Sequence, residues 1–201
     1  MIKKIVLGTQ NQGKIKEFQN ILGKEDITLL YWKDFDCPFS VKEDGRTFRE
    51  NALKKAEITA RKTDEVSIAD DSGLEVDWLK GKPGIFSARY AGIEATDEKN
   101  INKLLEELKN VPSCQRGARF VCAIVIFSPD GTWEWVEGEC RGIITEKPRG
   151  DQGFGYDPVF LVPALGKTFA ELNPQEKNRI SHRARAISKV KPLLKKYFSE
   201  T

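Results

Sequence analysis

The fold class follows from one stretch in which every side chain is apolar: Phe120-Val121-Cys122-Ala123-Ile124-Val125-Ile126-Phe127. Such a run, rich in β-branched and aromatic residues, is typical of a strand that is buried on both faces. The segment Pro129-Asp130-Gly131 then predicts a turn, and residues 133–136 predict a partner strand that continues to residue 144. The sequence therefore predicts one long β-hairpin.

Outward from this hairpin, weaker apolar patterns predict the other elements. Short strands are expected at residues 2–8, 66–71 and 157–162, and Ser72-Gly73 is expected to end the second of them. Helices are expected after residue 14, after the capping box Thr47-Phe48-Arg49-Glu50, around residues 101–108 and after Ser181. Pro192 is expected to kink or interrupt the last helix. Helices mixed with strands and one hairpin predict an α/β fold with a mixed sheet.

The composition excludes several classes of protein. The 201 residues carry 33 Lys and Arg against 30 Asp and Glu, and this net charge of +3 is too balanced for a nucleic-acid-binding surface. No apolar run approaches the roughly 20 residues of a membrane span, and no signal peptide is expected. We predict a single domain over residues 1–201. The four cysteines form no Cys-x-x-Cys pair, so we expect reduced thiols and a cytoplasmic protein.

The loop after the first predicted strand is a candidate phosphate site. It reads Thr9-Gln10-Asn11-Gln12-Gly13-Lys14. A turn at Gly13 would present backbone N–H groups and the positive end of a helix dipole to an anion, with Lys14 as a point charge. The loop is not a Walker A motif. An ordinary strand–helix connection with a surface lysine stays open as the alternative.

Carboxylates at two places predict a magnesium site. In Ile68-Ala69-Asp70-Asp71-Ser72-Gly73, the alternation of a strand directs the two aspartates to opposite faces, so that one is structural and accepts local backbone amides while the other faces a cleft. Glu43-Asp44-Gly45 supplies a further carboxylate. Because Mg²⁺ prefers one or two protein carboxylates beside substrate phosphate and water, Glu43 and one aspartate would suffice. A strand-end Asx turn and a solvated acidic turn are the alternatives.

Two further segments are candidates for recognising a base. Gly153-Phe154-Gly155-Tyr156-Asp157-Pro158 offers an aromatic ring on which a nucleobase can stack. Lys177 and the segment Ser181-His182-Arg183 can bind an anion or a carbonyl oxygen. His182 is the only histidine, which excludes a metal site rich in histidine. Turn glycines, core aromatics and a solvated lysine are the alternatives.

Together these segments resemble one family, the inosine triphosphate pyrophosphatases, which are also called dITP/XTP diphosphatases. The likeness runs from Thr9-x-Asn11-x-x-Lys14 to Ser181-His182-Arg183. The other segments that carry it are Thr47-Phe48-x-Glu50-Asn51-Ala52, Ala69-Asp70-Asp71-Ser72-Gly73, Pro83-Gly84-Ile85-x-Ser87-Ala88-Arg89-Tyr90 and Gly153-Phe154-Gly155-Tyr156-Asp157-Pro158. Each motif alone is weak, but all of them in this order are specific.

The resemblance implies a hydrolase that acts on acid anhydrides and cleanses the nucleotide pool. Its substrates would be ITP, dITP and XTP, its products the nucleoside monophosphate and pyrophosphate, and its cofactor Mg²⁺. The implied fold is two-lobed and α/β, with a long, bent, mixed central sheet flanked by helices and a cleft between the lobes. The implied protein is a cytoplasmic homodimer that binds a purine nucleoside triphosphate and neither nucleic acid nor membrane.

The resemblance also implies roles for individual residues. Glu43 and Asp71 would hold Mg²⁺, and Asp71 would also accept the proton of the attacking water. The residues that would bind the phosphates are Thr9, Gln10, Asn11, Gln12, Gly13, Lys14, Lys55, Ser72 and Lys177. Those that would form the base pocket are Phe154, Gly155, Tyr156, Asp157, His182 and Arg183. Gln10 stands where a glycine is frequent in this loop, which affects only the local backbone geometry.

Three other functions compete with this interpretation. A regulator could bind triphosphates without cutting them, although carboxylates beside phosphate favour catalysis. A phosphatase would release orthophosphate instead of pyrophosphate. An RNA-associated module would use the aromatic loop and the basic run Lys189-x-Lys191…Lys195-Lys196, which is more typical of a solvated helix face.

Overall fold

A computed structural model describes residues 3–23, 27–35 and 41–197 of the chain. Its helices and strands are, in chain order, β1 (Lys4–Leu7), α1 (Gln12–Leu22), β2 (Thr28–Tyr31), α2 (Phe48–Thr63), β3 (Ser67–Val76), α3 (Asp97–Glu107), β4 (Gly117–Phe127), β5 (Trp133–Ile144), β6 (Phe160–Val162), β7 (Lys167–Thr168), α4 (Pro174–Ile180) and α5 (His182–Tyr197). Short 3-10 turns connect several of them, including Gly84–Arg89 and Asp157–Val159.

The strands form one seven-stranded sheet in the order β2-β1-β3-β4-β5-β6-β7. β1 pairs in parallel with β2 and β3, whereas β6 pairs antiparallel with β5 and β7. β4 and β5 are neighbours, and the turn between them is closed by the Ser128 N–H, which donates to the Thr132 carbonyl at 2.9 Å. The predicted α/β class, with a mixed sheet flanked by helices, is confirmed.

The described residues fall into two compact units. The first unit is drawn from Met1–Asp71, Cys122–Gly138 and Arg183–Thr201, and the second from Ser72–Val121 and Glu139–His182. In the first unit, apolar side chains of β1, α1, β4 and α5 form one core, and the alanines of α2 pack in another. The core of the second unit joins β3, α3 and an aromatic group from Phe120, Phe160 and Phe169. The apolar run of β4 thus contributes to all three cores.

Three elements differ from the sequence predictions. β3 does not end at Ser72-Gly73, because Leu74 and Val76 are fully buried and the Leu74 N–H donates to Ser87 Oγ at 2.9 Å. The strand expected from residue 157 begins only at Phe160, since Pro158 favours a 3-10 turn before it.

The third difference is α5, which passes through Pro192 without interruption. Its apolar face, Ile187, Val190 and Leu194, is buried and holds the helix in place on both sides of the proline. β2, β7 and α4 form without having been predicted.

Two expectations from the sequence concern the cysteines, which were expected to be reduced, and the helices, none of which was expected to span a membrane. Cys122 and Cys140 are buried and Cys114 is exposed, and all three are thiols that form no disulfide. The fourth, Cys37, lies outside the described residues, as do Ile2 and Phe198 of the predicted first strand and last helix. In the part of the chain that the structure describes, no helix has the length and apolar character needed to cross a membrane.

Candidate active site

The segment from Thr9 to Lys14, which leads from β1 into α1, carries six of the predicted phosphate-binding residues and lies in the first unit. Asn11 caps α1, because its Oδ1 accepts the backbone N–H of Lys14 at 3.0 Å. Thr9 Oγ1 accepts the N–H of Asn11 at 3.3 Å. Gln10, Asn11 and Gln12 are exposed. The helix start is therefore ordered by its own side chains and accessible to an anion.

Lys14 reaches from this loop to the first aspartate of β3. Its Nζ lies 3.0 Å from Asp70 Oδ2, and Arg183 Nε donates to the same oxygen at 3.1 Å. Arg183 Nη1 also donates to Glu17, which lies on α1 one turn after Lys14. The Cys122 thiol donates to Asp70 Oδ2 at 3.7 Å. Buried Asp70 is thus enclosed by donors from several parts of the first unit.

These charges control the ionisation of Asp70. Burial alone would raise the pKa of the carboxyl, but the positive charges of Lys14 and Arg183 outweigh it and hold the pKa well below its ordinary value. Burial and the charge of Asp70 raise the pKa of Cys122, which therefore stays a thiol. Asp70 is consequently a permanent carboxylate at neutral pH.

The second aspartate of β3 meets a different set of partners. Lys55 Nζ donates to Glu43 Oε1 at 2.6 Å and lies 3.7 Å from Asp71 Oδ1. Asn51 Nδ2 donates to Asp71 Oδ2 at 2.9 Å, and Asn51 Oδ1 accepts the Gly45 N–H at 2.8 Å. Asn51 therefore fastens the loop that carries Glu43 to the aspartate. The two carboxylates consequently lie beside one ammonium group.

The ionisation of this group differs from that of Asp70. Burial raises the pKa of Asp71, and the attraction of Lys55 and Lys14 does not fully compensate for it. Burial would lower the pKa of Lys55, but the negative charges of Asp71, Asp70 and Glu43 raise it instead. Lys55 is therefore a cation held by carboxylates.

A divalent cation is chemically compatible with this carboxylate pair. Among the described residues no group of three or more His, Cys, Asp or Glu could hold a metal ion. Mg²⁺ does not require one, since it binds through one or two carboxylates with phosphate and water completing the octahedron. Glu43 and Asp71 provide oxygen ligands only, and both already face one cation, the Lys55 ammonium. These two residues could hold Mg²⁺.

The aromatic loop of the second unit is organised by a buried ion pair. Asp157 Oδ2 accepts both the Phe154 N–H at 3.0 Å and Lys177 Nζ at 2.6 Å. Lys177 Nζ lies 4.9 Å from the centre of the Phe154 ring. Asp97, at the start of α3, accepts the Gly155 N–H at 2.7 Å. The loop that presents half-buried Phe154 is therefore held from two sides.

The segment at residues 83–90 supports the same loop. The Tyr156 hydroxyl donates to the Ser87 carbonyl at 2.9 Å, and Ser87 Oγ donates to the Gly84 carbonyl at 2.6 Å. Ser87 Oγ also accepts the Leu74 N–H from β3. Residues 83–90, which carry part of the family resemblance, thus support the aromatic loop through the contact of Ser87 with Tyr156.

His182 lies in the aromatic core of the second unit. Its ring stacks on Phe120 with centroids 4.7 Å apart and an interplanar angle of 11°, and on Phe169 at 6.5 Å and 13°. Only 4% of the residue is exposed. Stacking on two parallel rings fixes the plane of the imidazole. A fixed plane is required if the ring is to donate a hydrogen bond to one particular atom of a base.

The predicted site residues divide between the two units, and those of one unit are called its group here. The group in the first unit contains Thr9, Gln10, Asn11, Gln12, Gly13, Lys14, Glu43, Lys55, Asp71 and Arg183. The group in the second unit contains Ser72, Phe154, Gly155, Tyr156, Asp157, Lys177 and His182. Lys177, predicted to bind phosphate, pairs with Asp157, and Arg183, predicted to read the base, pairs with Asp70 and Glu17. The roles of all these residues stay predictions.

Three residues that organise these groups carry no role in the sequence predictions. They are Glu17, Asn51 and Asp97, which bind Arg183, Asp71 and Gly155. Asn51 lies inside the segment Thr47-Phe48-x-Glu50-Asn51-Ala52, and Glu17 follows Lys14 by three residues. Their closeness to segments that carry the family resemblance was a signal that could have identified them. Nothing in the sequence connects Asp97 with a glycine 58 positions later.

The fold and the two groups of residues define the class of the chain. It is an α/β protein with a capped helix start and a carboxylate–lysine cluster in one unit and a braced aromatic loop in the other. A family model described as the Ham1 family matches residues 5–193. The chain belongs to the Ham1 family.

Similar proteins are found among curated sequences and among solved structures. The protein named dITP/XTP pyrophosphatase of Geobacillus kaustophilus (strain HTA426) is 51% identical over 189 residues, which cover 94% of this chain and 93% of that protein. The protein of the same name from Bacillus subtilis (strain 168) is 46% identical, covering 96% and 98%. The structure of the Staphylococcus aureus Ham1 protein matches with a TM-score of 0.87 at 44% identity, covering 97% and 100%.

Proposed function

We propose that this chain hydrolyses ITP, dITP and XTP to the nucleoside monophosphate and pyrophosphate, and so removes these purines from the nucleotide pool. Relatives named dITP/XTP pyrophosphatase match it over nearly their whole length at about half identity. The structural observation that carries the proposal is the pair Glu43 and Asp71, held beside one lysine ammonium in the unit that contains the capped helix start. A site of this composition suits a metal-bound triphosphate.

The first unit supplies the groups that would act on the phosphates. Glu43 and Asp71 would hold Mg²⁺, which polarises phosphate oxygens and neutralises charge when bound. The start of α1 and Lys14 would bind the phosphate chain and stabilise the charge that develops on the pyrophosphate leaving group. Lys55, already a cation between carboxylates, would add to this stabilisation.

Asp71 is the group best suited to accept the proton of the attacking water. Its pKa is raised, so its basicity exceeds that of an ordinary aspartate. The Asn51 amide binds one of its oxygens, Oδ2, and thereby fixes the direction of the other. An oriented water attacking the α-phosphorus would release the monophosphate and pyrophosphate.

The second unit supplies the groups that would recognise the base. Phe154 would stack on the purine, supported by Asp157 and Lys177. His182, whose ring plane is fixed by stacking, would donate to the 6-oxo group of hypoxanthine or xanthine. Arg183, whose Nε and Nη1 donate to Asp70 and Glu17, would act within the first unit. Adenine carries an amine in place of the 6-oxo group, which would leave the His182 donor without an acceptor and weaken binding.

We further propose that the enzyme works in the cytoplasm as a homodimer and uses Mg²⁺. The three cysteines of the described residues form no disulfide, which supports a reducing compartment. Sedimentation equilibrium of the purified protein tests the dimer. A mass equal to one chain at micromolar concentration would contradict it.

Product analysis tests the proposed reaction. The protein is incubated with ITP, with Mg²⁺ or with EDTA, and pyrophosphate and orthophosphate are measured separately. We expect inosine monophosphate and pyrophosphate in equal amounts, and only with Mg²⁺. Orthophosphate as the primary product would indicate a phosphatase. ITP binding without either product would indicate a regulator, and both results would refute the proposal.

A further inference from the structure

Four charged residues, three of them buried, link α1, β3 and the start of α5 within the first unit. They are Glu17, Arg183, Asp70 and Lys14, and they alternate in sign along the chain of contacts. The exposed fractions of these side chains are 11%, 1%, 0% and 12%. Two negative and two positive charges balance each other, so the group is neutral as a whole. Of its members, Lys14 is the one at the proposed phosphate site.

The guanidinium of Arg183 binds the carboxylates of both Glu17 and Asp70 and so couples their positions. Its Nη1 donates to Glu17 and its Nε donates to Asp70 Oδ2 at 3.1 Å. Because the guanidinium is planar and rigid, fixing one nitrogen also fixes the direction in which the other donates. Asp70 Oδ2 is in turn the oxygen that lies 3.0 Å from Lys14 Nζ.

Lys14 needs such a support because its side chain is flexible. A lysine ammonium sits on a four-carbon stem with several rotamers, and ordering it on a ligand opposes binding. A buried carboxylate that already fixes the ammonium removes part of this entropic loss before the ligand arrives. The position of that carboxylate depends on Arg183, and the position of Arg183 depends on Glu17.

We infer that Glu17 is a positioning residue for phosphate binding, acting through Arg183 and Asp70 on Lys14. Glu17 lies outside the residues predicted to bind phosphate or base and is bound by Arg183, so its proposed effect runs through Arg183 and Asp70 to the geometry of Lys14. This inference rests on the proposed function, in which Lys14 binds the phosphate chain. It goes beyond that function because it assigns a role to a residue outside the predicted site.

The sign of the effect separates positioning from simple electrostatics. Glu17→Gln removes a negative charge, and a long-range charge effect alone would make a polyanion bind more tightly. Loss of positioning would make it bind more weakly. Glu17→Asp keeps the charge and withdraws the carboxylate by one methylene, so only the loss of positioning acts in that variant.

The test measures the binding of tripolyphosphate and of inosine by calorimetry in EDTA, where neither turnover nor metal contributes. We expect both Glu17 variants to bind tripolyphosphate about tenfold more weakly, which corresponds to one charge-assisted contact, and to bind inosine within about twofold of the wild type. Glu57→Gln is the matched control, since it removes the same charge from an exposed pair with Arg61 on α2. It should change neither affinity.

Each other outcome overturns the inference. Unchanged or tighter tripolyphosphate binding excludes positioning, and an equal loss for both ligands indicates general damage to the fold. If Glu17→Gln does not fold, Glu17→Asp decides alone, and a thermal melt of each variant identifies that case. The proposed function is judged separately, because a wild type that does not cut ITP refutes it whatever the calorimetry shows.

Discussion

Two neighbouring aspartates of β3 differ in charge environment, although they are adjacent in the sequence. Lys14 and Arg183 overcome the effect of burial at Asp70 and lower its pKa, whereas at Asp71 burial prevails and the pKa is raised. The cause is the alternation of strand side chains, which gives each carboxylate its own set of cations. Asp70 is therefore suited to a structural ion pair and Asp71 to proton transfer.

Replacement of Asp71 tests its proposed catalytic role. Asp71→Asn keeps the shape and removes both the proton acceptor and a metal ligand, so we expect kcat for ITP to fall by about 10²–10⁴-fold. The measurement is the steady-state release of pyrophosphate. Asp44→Asn, which removes an exposed carboxylate paired with Lys54, is the control and should keep wild-type kcat. A near-normal kcat in Asp71→Asn would exclude this aspartate from the mechanism.

The opposite pKa shifts predict opposite responses of stability to pH in the metal-free protein. The pKa of Asp71 is raised on folding, so as the pH falls through that pKa toward the ordinary value of 3.8 the folded state takes up a proton first and is stabilised. The pKa of Asp70 is lowered, so its contribution is present above 3.8 and is lost only as the pH falls further, toward the lowered pKa.

Urea unfolding in EDTA at a series of pH values from 7 down to 4 measures both effects. The difference in free energy of unfolding between the wild type and Asp71→Asn should shift in favour of the wild type as the pH falls toward 3.8. The corresponding difference for Asp70→Asn should stay the same until the pH approaches 3.8. A shift for Asp70→Asn with none for Asp71→Asn would contradict the assignment of the two environments.

At the scale of elements, α2 connects the carboxylate pair with the rest of the first unit. Asn51 and Lys55 are four residues apart on this helix and therefore lie on the same face, where both meet Asp71. Thr47 caps the helix through the N–H of Glu50 at 3.1 Å. Only this half of the capping box predicted from the sequence forms, because the Glu50 carboxylate accepts the N–H of Arg46 at 2.7 Å and not that of Thr47. The Thr47 cap fixes where α2 begins.

Loss of the Asn51 side chain should affect metal use more than folding. Asn51→Ala releases the loop of Glu43 from Asp71, so we expect the Mg²⁺ concentration for half-maximal activity to rise by about tenfold. Thr47→Ala in the same helix should lower stability by about 1 kcal/mol without this change. Activity is titrated against Mg²⁺ for each variant. Equal Mg²⁺ dependence in wild type and Asn51→Ala would contradict the bridging role.

The proline of α5 provides a test of the fold at the level of one helix. Pro192 lacks the N–H that would bond within the helix, and its ring is exposed. Pro192→Ala should therefore raise the free energy of unfolding by about 1–3 kcal/mol. Urea denaturation measures the change. If the helix ended at residue 191, Pro192→Ala would not raise the free energy of unfolding.

Local patterns predicted most of the helices and strands, and the exceptions have physical reasons. The periodic apolar residues of α1, α3 and α5 and the run in β4 were sufficient to find these elements. α4 was missed although Asn173 and Glu176 form a capping box before it, because the segment has little apolar character. β3 was expected to end too early, since its continuation depends on Ser87, a partner outside the strand.

At the scale of the whole molecule, the partners of the site residues are the part that sequence cannot supply. Arg183 contacts Glu17 and Asp70 across 166 and 113 positions of the chain. Such contacts depend on the tertiary packing of helices and strands, and no local pattern encodes them. The sequence indicated residue types and their family, while the structure shows which charges meet.

The function proposed for the whole molecule is selective removal of purine triphosphates with a 6-oxo base. Phosphate-binding and carboxylate groups occur in the first unit, and the aromatic loop with His182 occurs in the second. Each group alone would suit many nucleotides. Selectivity therefore requires both, and it is the property that distinguishes this enzyme from a general triphosphatase.

A competition assay measures this selectivity directly. The protein is given equal amounts of dITP and dATP with Mg²⁺, and both nucleotides and both phosphate products are followed by chromatography. We expect dITP to be converted to dIMP and pyrophosphate at least about 100-fold faster than dATP is consumed. Consumption of both nucleotides at similar rates, or orthophosphate in place of pyrophosphate, would contradict the proposed function.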